Sequence, residues 1–419
     1  MRVRRPRSTL RQTSGFALVL VVSLLALLVL LAYALSALSR VDSQLAGTAV
    51  FQTQARQNAL LGLQFAIGEL QRHAGHDERI TGMAGITGAA GTAPGSNNPA
   101  RHWCGIWNES GGHLAWLSSG ANGAAIPPLT GTDSLAIVAS GSLGADATDK
   151  EHVRVMKRPV PVAQFESGVT TQGNYAYWVG DEGVKLSAVV PDAESPLPGL
   201  KHGIDELIAA LSPTAPNLAK VEAYAQLAFV PATALTPGQL QSNFHELGRT
   251  HFRQAPAGTG VLRQAGLLNI NTTAVRYWRG VAATHDLAVA PADRFSIART
   301  TFANRMRDNF VAGTAPGKSP GGPFLHIDGF LSSTTLSVAL VGSGVSLLEF
   351  RDAMVPWLTT RSDTFRVRAY GDAINPADPT RIESIAYCEA IVQRTGDSLP
   401  GFGRRFVITS FRWLSPADI

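Results

Sequence analysis

The longest apolar run of the chain lies close to its N-terminus, over Phe16–Leu38. It reads FALVLVVSLLALLVLLAYALSAL and carries no charged residue. About 20 apolar residues, each rising about 1.5 Å along a helix, cross the roughly 30 Å hydrocarbon core of a bilayer. A cleaved secretory signal has an apolar region of only about 7–15 residues. The pattern therefore predicts one transmembrane helix over this run.

The helical pattern continues past the apolar run. Residues 39–75 contain no proline, and apolar side chains recur at helical spacing, for example at Leu63, Ile67 and Leu70. The spacing is not a sustained heptad, which disfavours a coiled coil. We therefore expect a single helix from Phe16 to about residue 73, continuing the membrane helix through residues 39–75.

A stretch of small residues follows this helix. Residues 76–100 are rich in Gly, Ala, Ser and Pro, and they carry no charge from Ile80 to Ala100. Such a composition is typical of a loop. We therefore expect residues 76–100 to be a linker to the remainder of the chain.

Two strand signals occur within residues 101–197. The segment RHWCGIWNESGGHLAWLSSG predicts a hairpin-like element whose tryptophans, Trp103, Trp107 and Trp116, pack in the core; an aromatic ligand platform is the alternative. The segment NYAYWVGDEGVKLSAVV alternates apolar and polar residues around Asp181-Glu182-Gly183, which predicts a strand, a turn and a second strand. Residues 101–197 are therefore interpreted as strand-rich.

The last two regions differ in their pattern. Residues 198–348 contain helical stretches such as HGIDELIAALS and TPGQLQSNFHELGR, which predict a helical insertion. Residues 349–419 contain SDTFRVRAYGDA, SIAYCEAIVQR and RRFVITSFRWL, which alternate and are separated by turn residues, so we expect closing antiparallel strands. The predicted fold class is α+β: a long N-terminal transmembrane helix with a large extracytoplasmic head of antiparallel strands and a helical insertion.

The charged residues add information mainly at the N-terminus. The chain is 45% hydrophobic and 16% charged, which describes a folded protein, and its net charge is +5. Arginines precede the apolar run at positions 2, 4, 5, 7 and 11, and the first acidic residue is Asp42. Lys and Arg are retained on the cytoplasmic side of a membrane span. The charge therefore predicts a cytoplasmic N-terminus and a periplasmic head, and we expect no nucleic-acid partner.

The junction Ser14-Gly15-Phe16 adds a more specific signal, because a basic leader ends in Gly directly before Phe and the apolar run. This junction resembles the leader of type IV prepilins. The resemblance implies that residues 1–15 are removed by a prepilin peptidase that cuts between Gly15 and Phe16 and methylates the new N-terminal amine of Phe16. The apolar helix stays on the mature protein. A plain signal anchor is the alternative reading of the same arginines and apolar run.

The resemblance extends to PilX-type pilus assembly proteins and GspK-like minor pseudopilins, at residues 175–185, 267–273 and 362–419. Major pilins usually carry Glu at the fifth mature position, where this chain has Leu20. The resemblance therefore implies a minor subunit at the tip or in initiation of a type IV pilus or type II secretion-like filament. The implied partners are other pilin-like subunits, the prepilin peptidase, the inner-membrane assembly platform and the lipid bilayer.

Signals for catalysis or metal binding fail on their spacing. Residues 312–319 read AGTAPGKS, a permissive nucleotide-binding loop, but PGGP follows and forbids the helix that such a loop needs. His245 and His251 are six residues apart, which places them on different helix faces. The polar residues at 269–273 are interpreted as caps of the next helix. We predict no enzyme, no catalytic residue, no cofactor and no metal; the alternative function is a bitopic periplasmic enzyme or binding protein held by an uncleaved signal anchor.

The chain contains two cysteines, Cys104 and Cys388. Two cysteines cannot form a zinc site alone. In an oxidising compartment they can pair as a disulfide, and two buried free thiols explain them equally well.

Overall fold

The computed structural model describes residues 14–88, 99–164, 168–188, 200–208, 224–229, 236–248, 252–254, 263–289, 294–295, 298–318 and 320–419. Most of the predicted leader, residues 1–13, lies outside them. The chain divides into two units, Met1–Thr53 and Gln54–Ile419. One long apolar N-terminal helix is combined with antiparallel sheets, so the α+β class is confirmed.

After the long first helix, mostly strands come first, a run of helices follows, and strands end the chain. The helices are α1 (Ser14–Ala74), α2 (Ser140–Leu143), α3 (Pro237–Gln241), α4 (Val275–Ala288), α5 (Arg299–Phe310), α6 (Ile327–Leu331), α7 (Thr334–Leu340) and α8 (Leu347–Met354). The strands are β1 (Ile80–Met83), β2 (Cys104–Trp107), β3 (His113–Trp116), β4 (Ser134–Val138), β5 (Val153–Met156), β6 (Arg158–Gln164), β7 (Gly168–Asp181), β8 (Leu186–Ser187), β9 (Leu247–Gly248), β10 (Phe252–Gln254), β11 (Arg263–Ala265), β12 (Leu268–Asn269), β13 (Leu358–Thr359), β14 (Thr364–Asn375), β15 (Asp378–Leu399) and β16 (Gly403–Leu414).

The described part of the first unit is the N-terminal part of helix α1. Every large apolar side chain from Phe16 to Leu38 is at least half exposed. Among the described residues, α1 is the one helix that is long and apolar enough to cross a membrane. A helix that is apolar on all faces is suited to a lipid environment.

Within the second unit, the last part of α1 packs on the largest sheet. Its buried residues recur at intervals of three and four and form one stripe along the helix: Ala55, Ala59, Leu63, Ala66, Leu70 and Ala74. Most of them are alanine, so the helix lies close to the strands. A Cβ added at Gly62 would come within 2.9 Å of the Ala176 carbonyl oxygen.

The largest sheet in the described part of the chain has five strands in the order β16-β15-β14-β7-β6. All neighbouring pairs in it are antiparallel. Strand β14 is central, and its residues alternate between the two faces. Phe365, Val367 and Ala369 belong to the apolar cluster that contains the α1 stripe, whereas Tyr370 belongs to the larger cluster with the helices of the second unit. Within the second unit, the last part of α1 therefore packs on one face of the sheet, and the larger apolar cluster lies on the other.

Several sequence predictions are confirmed by these elements. Strands β14, β15 and β16 form the expected closing antiparallel meander. Strands β2 and β3 form the expected hairpin, and the tryptophans predicted to pack in the core, Trp103, Trp107 and Trp116, are buried. The strand, turn and second strand predicted around Asp181 are present as β7 and β8, and β8 pairs in parallel with β9.

Other predictions are wrong in part. The expected linker contains a strand, because Ile80–Met83 pairs with β2 along its whole length, and the turn that follows it is buried. In the described part of residues 198–348, the two longest helices are α4 and α5, and short strands precede them.

Candidate functional site

The residues of the predicted processing site lie in α1. Gly15 is its second residue, and Phe16 is 77% exposed. Leu20, where the resemblance would place a glutamate, is about half exposed and offers no carboxylate. This end of α1 therefore consists of apolar side chains.

The opposite end of α1 is held to the sheet by polar side chains as well as by the alanine stripe. Asn58 Nδ2 donates to the Asp372 carbonyl at 2.7 Å. Gln71 Nε2 donates to the carbonyls of Phe402 and Arg404, each at 2.9 Å, and its Oε1 accepts from the Phe406 backbone N–H. The amide of Gln71 therefore pairs with the backbone of Phe402, directly before β16, and with the first residues of β16, an edge strand of the sheet.

A network of charged side chains is buried on the other face of the sheet. Glu389 on β15 pairs with Arg368 at 2.8 Å and with Arg412 at 2.8 Å. Glu182, in the turn after β7, pairs with Arg366 at 3.0 Å and with Lys185 at 2.8 Å. Apart from Arg412, these side chains are at most 7% exposed. Buried charges are tolerated when they are paired in this way.

Phe244 lies at the centre of this network. The Lys185 ammonium is 4.8 Å from the centroid of its ring, and the guanidinium carbons of Arg366 and Arg368 are 4.9 and 4.8 Å away. A cation over an aromatic face is stabilised by the ring quadrupole. The ring is thus a shared cation–π partner of three positively charged side chains.

The ionisation of the network follows from these pairs. Burial alone would raise the pKa of Glu389, but Arg368, Arg366 and Arg412 hold it well below its usual value. Burial and the neighbouring Arg366 lower the pKa of Lys185 to about 8, against the opposing effect of Glu182. Because its members are enclosed and paired, the network is suited to fixing the packing of the sheet and not to reacting with a substrate.

A second buried polar cluster contains the residues predicted to cap α4. Asn269 Nδ2 donates to Thr81 Oγ1 at 2.8 Å and to Ser362 Oγ at 2.9 Å. Asn271 Nδ2 donates to the Thr81 carbonyl, and its Oδ1 accepts from the Phe324 N–H at 2.8 Å. Helix α4 begins after Ala274 without a side-chain cap. The capping prediction is therefore wrong for both asparagines, which instead join β1 to distant segments.

The nucleotide-binding pattern at residues 312–319 has no supporting geometry in the described residues. Helix α5 precedes it instead of a strand, and α6 begins only at Ile327. The Lys318 ammonium donates to the Gly313 carbonyl at 3.1 Å and lies over the rings of Phe310 and Phe324. The lysine therefore packs within its own loop. Ser319 lies outside the described residues.

In the part of the chain that the structure describes, no three His, Cys, Asp or Glu side chains lie close enough together to hold a metal ion. His251, from the rejected zinc pattern, lies outside that part. Cys104 and Cys388 are free, buried thiols in the same apolar cluster. Burial raises the pKa of Cys388 to about 12, so the thiol stays protonated.

His245, by contrast, has a specific partner. Its ring stacks on that of His102 with centroids 3.8 Å apart and planes 7° from parallel, and its Nε2 lies 2.7 Å from the Glu151 carbonyl oxygen. Burial, followed by the nearby Lys185, lowers the pKa of His245 to about 3, and burial also lowers that of His102. The pair is therefore held in its neutral form.

This pair predicts a loss of stability on acidification. A histidine whose pKa is lower in the folded state contributes stability above its ordinary pKa of about 6.5, and that contribution is lost as the pH falls toward 3. We expect His102→Phe, which keeps a stacked ring but removes one titrating group, to weaken the pH dependence of the free energy of unfolding between pH 7.5 and 5. Chemical denaturation at each pH measures it.

The comparison must be made between the variant and the wild type at the same pH. Burial raises the pKa of Asp181 to about 6, which makes stability fall as the pH rises and so opposes the histidine effect. That contribution is common to both proteins and cancels in the difference. Equal pH dependence in the two proteins would show that the stacked pair is not the source.

The chain matches no protein-family model, and comparisons with the curated proteins and with the solved structures gave no match either. What supports a function is therefore the chain's own residues: an apolar helix at one end, and a sheet packed on the end of the same helix in the second unit.

Proposed function

We propose that this chain is a membrane-anchored minor pilin or pseudopilin that takes part in the assembly of a type IV pilus or type II secretion-like filament. The observation that supports the proposal most is α1. Its apolar side chains from Phe16 onward are exposed, while its last part is buried against an antiparallel sheet. The junction of Gly15 with Phe16 at the start of this helix adds the resemblance to a prepilin leader.

In the proposed mechanism, a prepilin peptidase removes the leader after Gly15 and methylates the amine of Phe16. The apolar helix then leaves the bilayer by packing laterally against the helices of other pilin-like subunits. The basic residues before the helix keep the N-terminus cytoplasmic, and the second unit is periplasmic. The inner-membrane assembly platform is the partner of this step.

The absence of a glutamate at position 20 supports a place at the filament tip or in initiation. An unpaired amine inside an apolar bundle costs several kcal/mol, and a shaft would repeat that cost at every subunit. A subunit at the tip does not repeat it. The protein is therefore proposed to be present in few copies at one end of the filament.

The mature N-terminus tests the proposal. We expect intact-mass and N-terminal peptide analysis of the membrane fraction to give a chain that begins at N-methylated Phe16. Gly15→Leu should accumulate as the unprocessed chain, because the peptidase must accommodate residue 15 next to the bond that it cuts. Gly47→Ala is the matched control, since a Cβ at Gly47 meets nothing within 4 Å.

Other N-termini would contradict the proposal in different ways. A chain that retains Met1 in the wild type would favour the bitopic periplasmic enzyme or binding protein on an uncleaved anchor. A chain that begins beyond Leu38 would mean that the apolar helix is discarded, and no pilin-like assembly could follow.

A further inference from the structure

A cavity of about 300 Å³ lies beside the last turns of α1 in the second unit. Phe65 of α1, Trp116 of β3, and Tyr175 and Tyr177 of β7 line it with aromatic rings. Small-ligand sites occupy clefts of about 300–1,000 Å³, lined mostly by apolar and aromatic side chains with a few polar groups. The cavity is therefore large enough for one small ligand or for one unit of a longer one.

The aromatic wall is preformed. Phe65 and Tyr175 stack with their ring centroids 5.0 Å apart and their planes 6° from parallel. Phe65 is 46% exposed, so the stack holds an apolar ring in contact with water. Tyr175 covers one face of the Phe65 ring, and the part of the ring that stays exposed is available beside the cavity.

Charged side chains of both signs line the same cavity. Glu69 and His73 pair at 3.3 Å, and Arg158 is also part of the lining. Burial raises the pKa of Tyr177, and the neighbouring Glu69 adds to this, so the phenol stays an uncharged donor. With one carboxylate and one guanidinium, the lining carries almost no net charge.

The cavity wall also contains a buried hydroxyl without a partner. Ser118 is 2% exposed, and its Oγ makes no hydrogen bond among the described residues. Buried polar atoms are nearly always paired, and an unpaired hydroxyl costs about 1–3 kcal/mol. The Oγ atom is enclosed within the wall, so the polar contacts available to a ligand come from other side chains of the lining.

We propose that this cavity binds a saccharide unit through the exposed part of the Phe65 ring and the surrounding polar groups. One face of a pyranose ring presents apolar C–H groups, which pack on a flat aromatic ring, while its rim presents hydroxyls that both donate and accept. Glu69, Arg158 and the tyrosine hydroxyls supply both kinds of partner. The near-neutral lining disfavours a polyanion, and the charged groups disfavour a purely apolar ligand.

The saccharide site goes beyond the proposed assembly function and does not depend on it. A processed pilin-like subunit can lack the site, and an unprocessed anchored protein can have it. The two proposals therefore fail separately, because one is read from the N-terminus and the other from ligand binding.

The test uses the full chain in a zwitterionic detergent, since a detergent with a maltoside head group is itself a saccharide. Intrinsic tryptophan fluorescence is followed during titration with chitotriose, cellotriose and maltotriose, because Trp116 lines the cavity. We expect a saturable change with at least one trisaccharide. Phe65→Ala should lower the affinity for it at least about tenfold, which corresponds to about 1.4 kcal/mol.

A control and a second variant keep the test specific. Leu60→Ala removes another exposed apolar side chain of the same helix that does not line the cavity, and it should bind as the wild type does. Tyr177→Phe keeps the ring but removes a hydroxyl and should bind several-fold more weakly. Failure of all three trisaccharides to bind, or binding that Phe65→Ala leaves unchanged, would overturn the proposal.

Discussion

Glu389→Met is expected to lower the free energy of unfolding of the second unit by about 3–5 kcal/mol. The carboxylate of Glu389 pairs with Arg368 and Arg412, and Arg366 lies 3.8 Å away. Removing it leaves the buried Arg368 without a carboxylate partner. An uncompensated buried charge costs more than the pair itself contributes, which is why the expected loss is large.

The matched control is Glu383→Gln on the same strand. Glu383 pairs with Arg381 at 3.1 Å, and the arginine side chain is 66% exposed. Exposed pairs contribute about 0–1 kcal/mol, so this change should have little effect. Urea denaturation followed by tryptophan fluorescence measures both, with coincidence of a second probe as the test of two-state behaviour.

A double variant distinguishes an unpaired charge from lost packing. Glu389→Met with Arg368→Met removes both partners, so it should be less destabilised than the sum of the two single variants. If the losses add instead, the destabilisation comes from altered packing, and the network is not acting through charge pairing.

The strands of this sheet follow from local pattern, whereas the network does not. Phe365, Val367 and Ala369 alternate with polar residues, which is sufficient to predict a strand with one apolar face. The same alternation places Arg366 and Arg368 on the opposite face, where charge normally indicates water. That face is covered by elements distant in sequence, such as the segment that carries Phe244. No local sequence pattern predicts that these elements cover it.

The prediction that residues 76–100 form a linker was wrong in part, because the amino-acid composition does not show why a glycine is present. Gly82 lies in β1, where an added Cβ would come within 2.9 Å of the Asn271 Cβ and 3.0 Å of the Ile86 Cδ1. The glycine allows close packing in the core and does not indicate a flexible loop. Likewise, the Asn-Ile-Asn pattern fits a helix cap, but the amides of Asn269 and Asn271 are used across the fold.

The N-terminal helix was the part of the candidate site that sequence predicts best. An uncharged apolar run over Phe16–Leu38 and the absence of proline afterwards are sufficient to predict the length of α1. Its packing on the sheet is less evident, because the buried stripe is mostly alanine, and alanine is also common on exposed helix faces. The cavity near Phe65 was missed for a related reason: its rings come from three separate elements.

The close contact between helix and sheet gives the second large expected effect, at Gly371 in β14. A Cβ at this position would fall on the backbone of Ala59 and Ala55 in α1. Backbone atoms cannot rotate away as a side chain can, so Gly371→Ala must separate the helix from the strand. We expect a loss of about 3 kcal/mol or more in the free energy of unfolding, at the upper end of overpacking costs.

Gly68 provides the control for this prediction, because it lies in the same helix and a Cβ there meets nothing within 4 Å. Alanine is the better helix former, so Gly68→Ala should stabilise the second unit by up to about 1 kcal/mol. The two substitutions are chemically identical and are expected to have opposite signs in the same urea denaturation. Equal effects would mean that α1 does not lie close to β14. A loss with Gly371→Ala and a gain with Gly68→Ala would establish the contact by which the sheet holds the end of the proposed anchor helix.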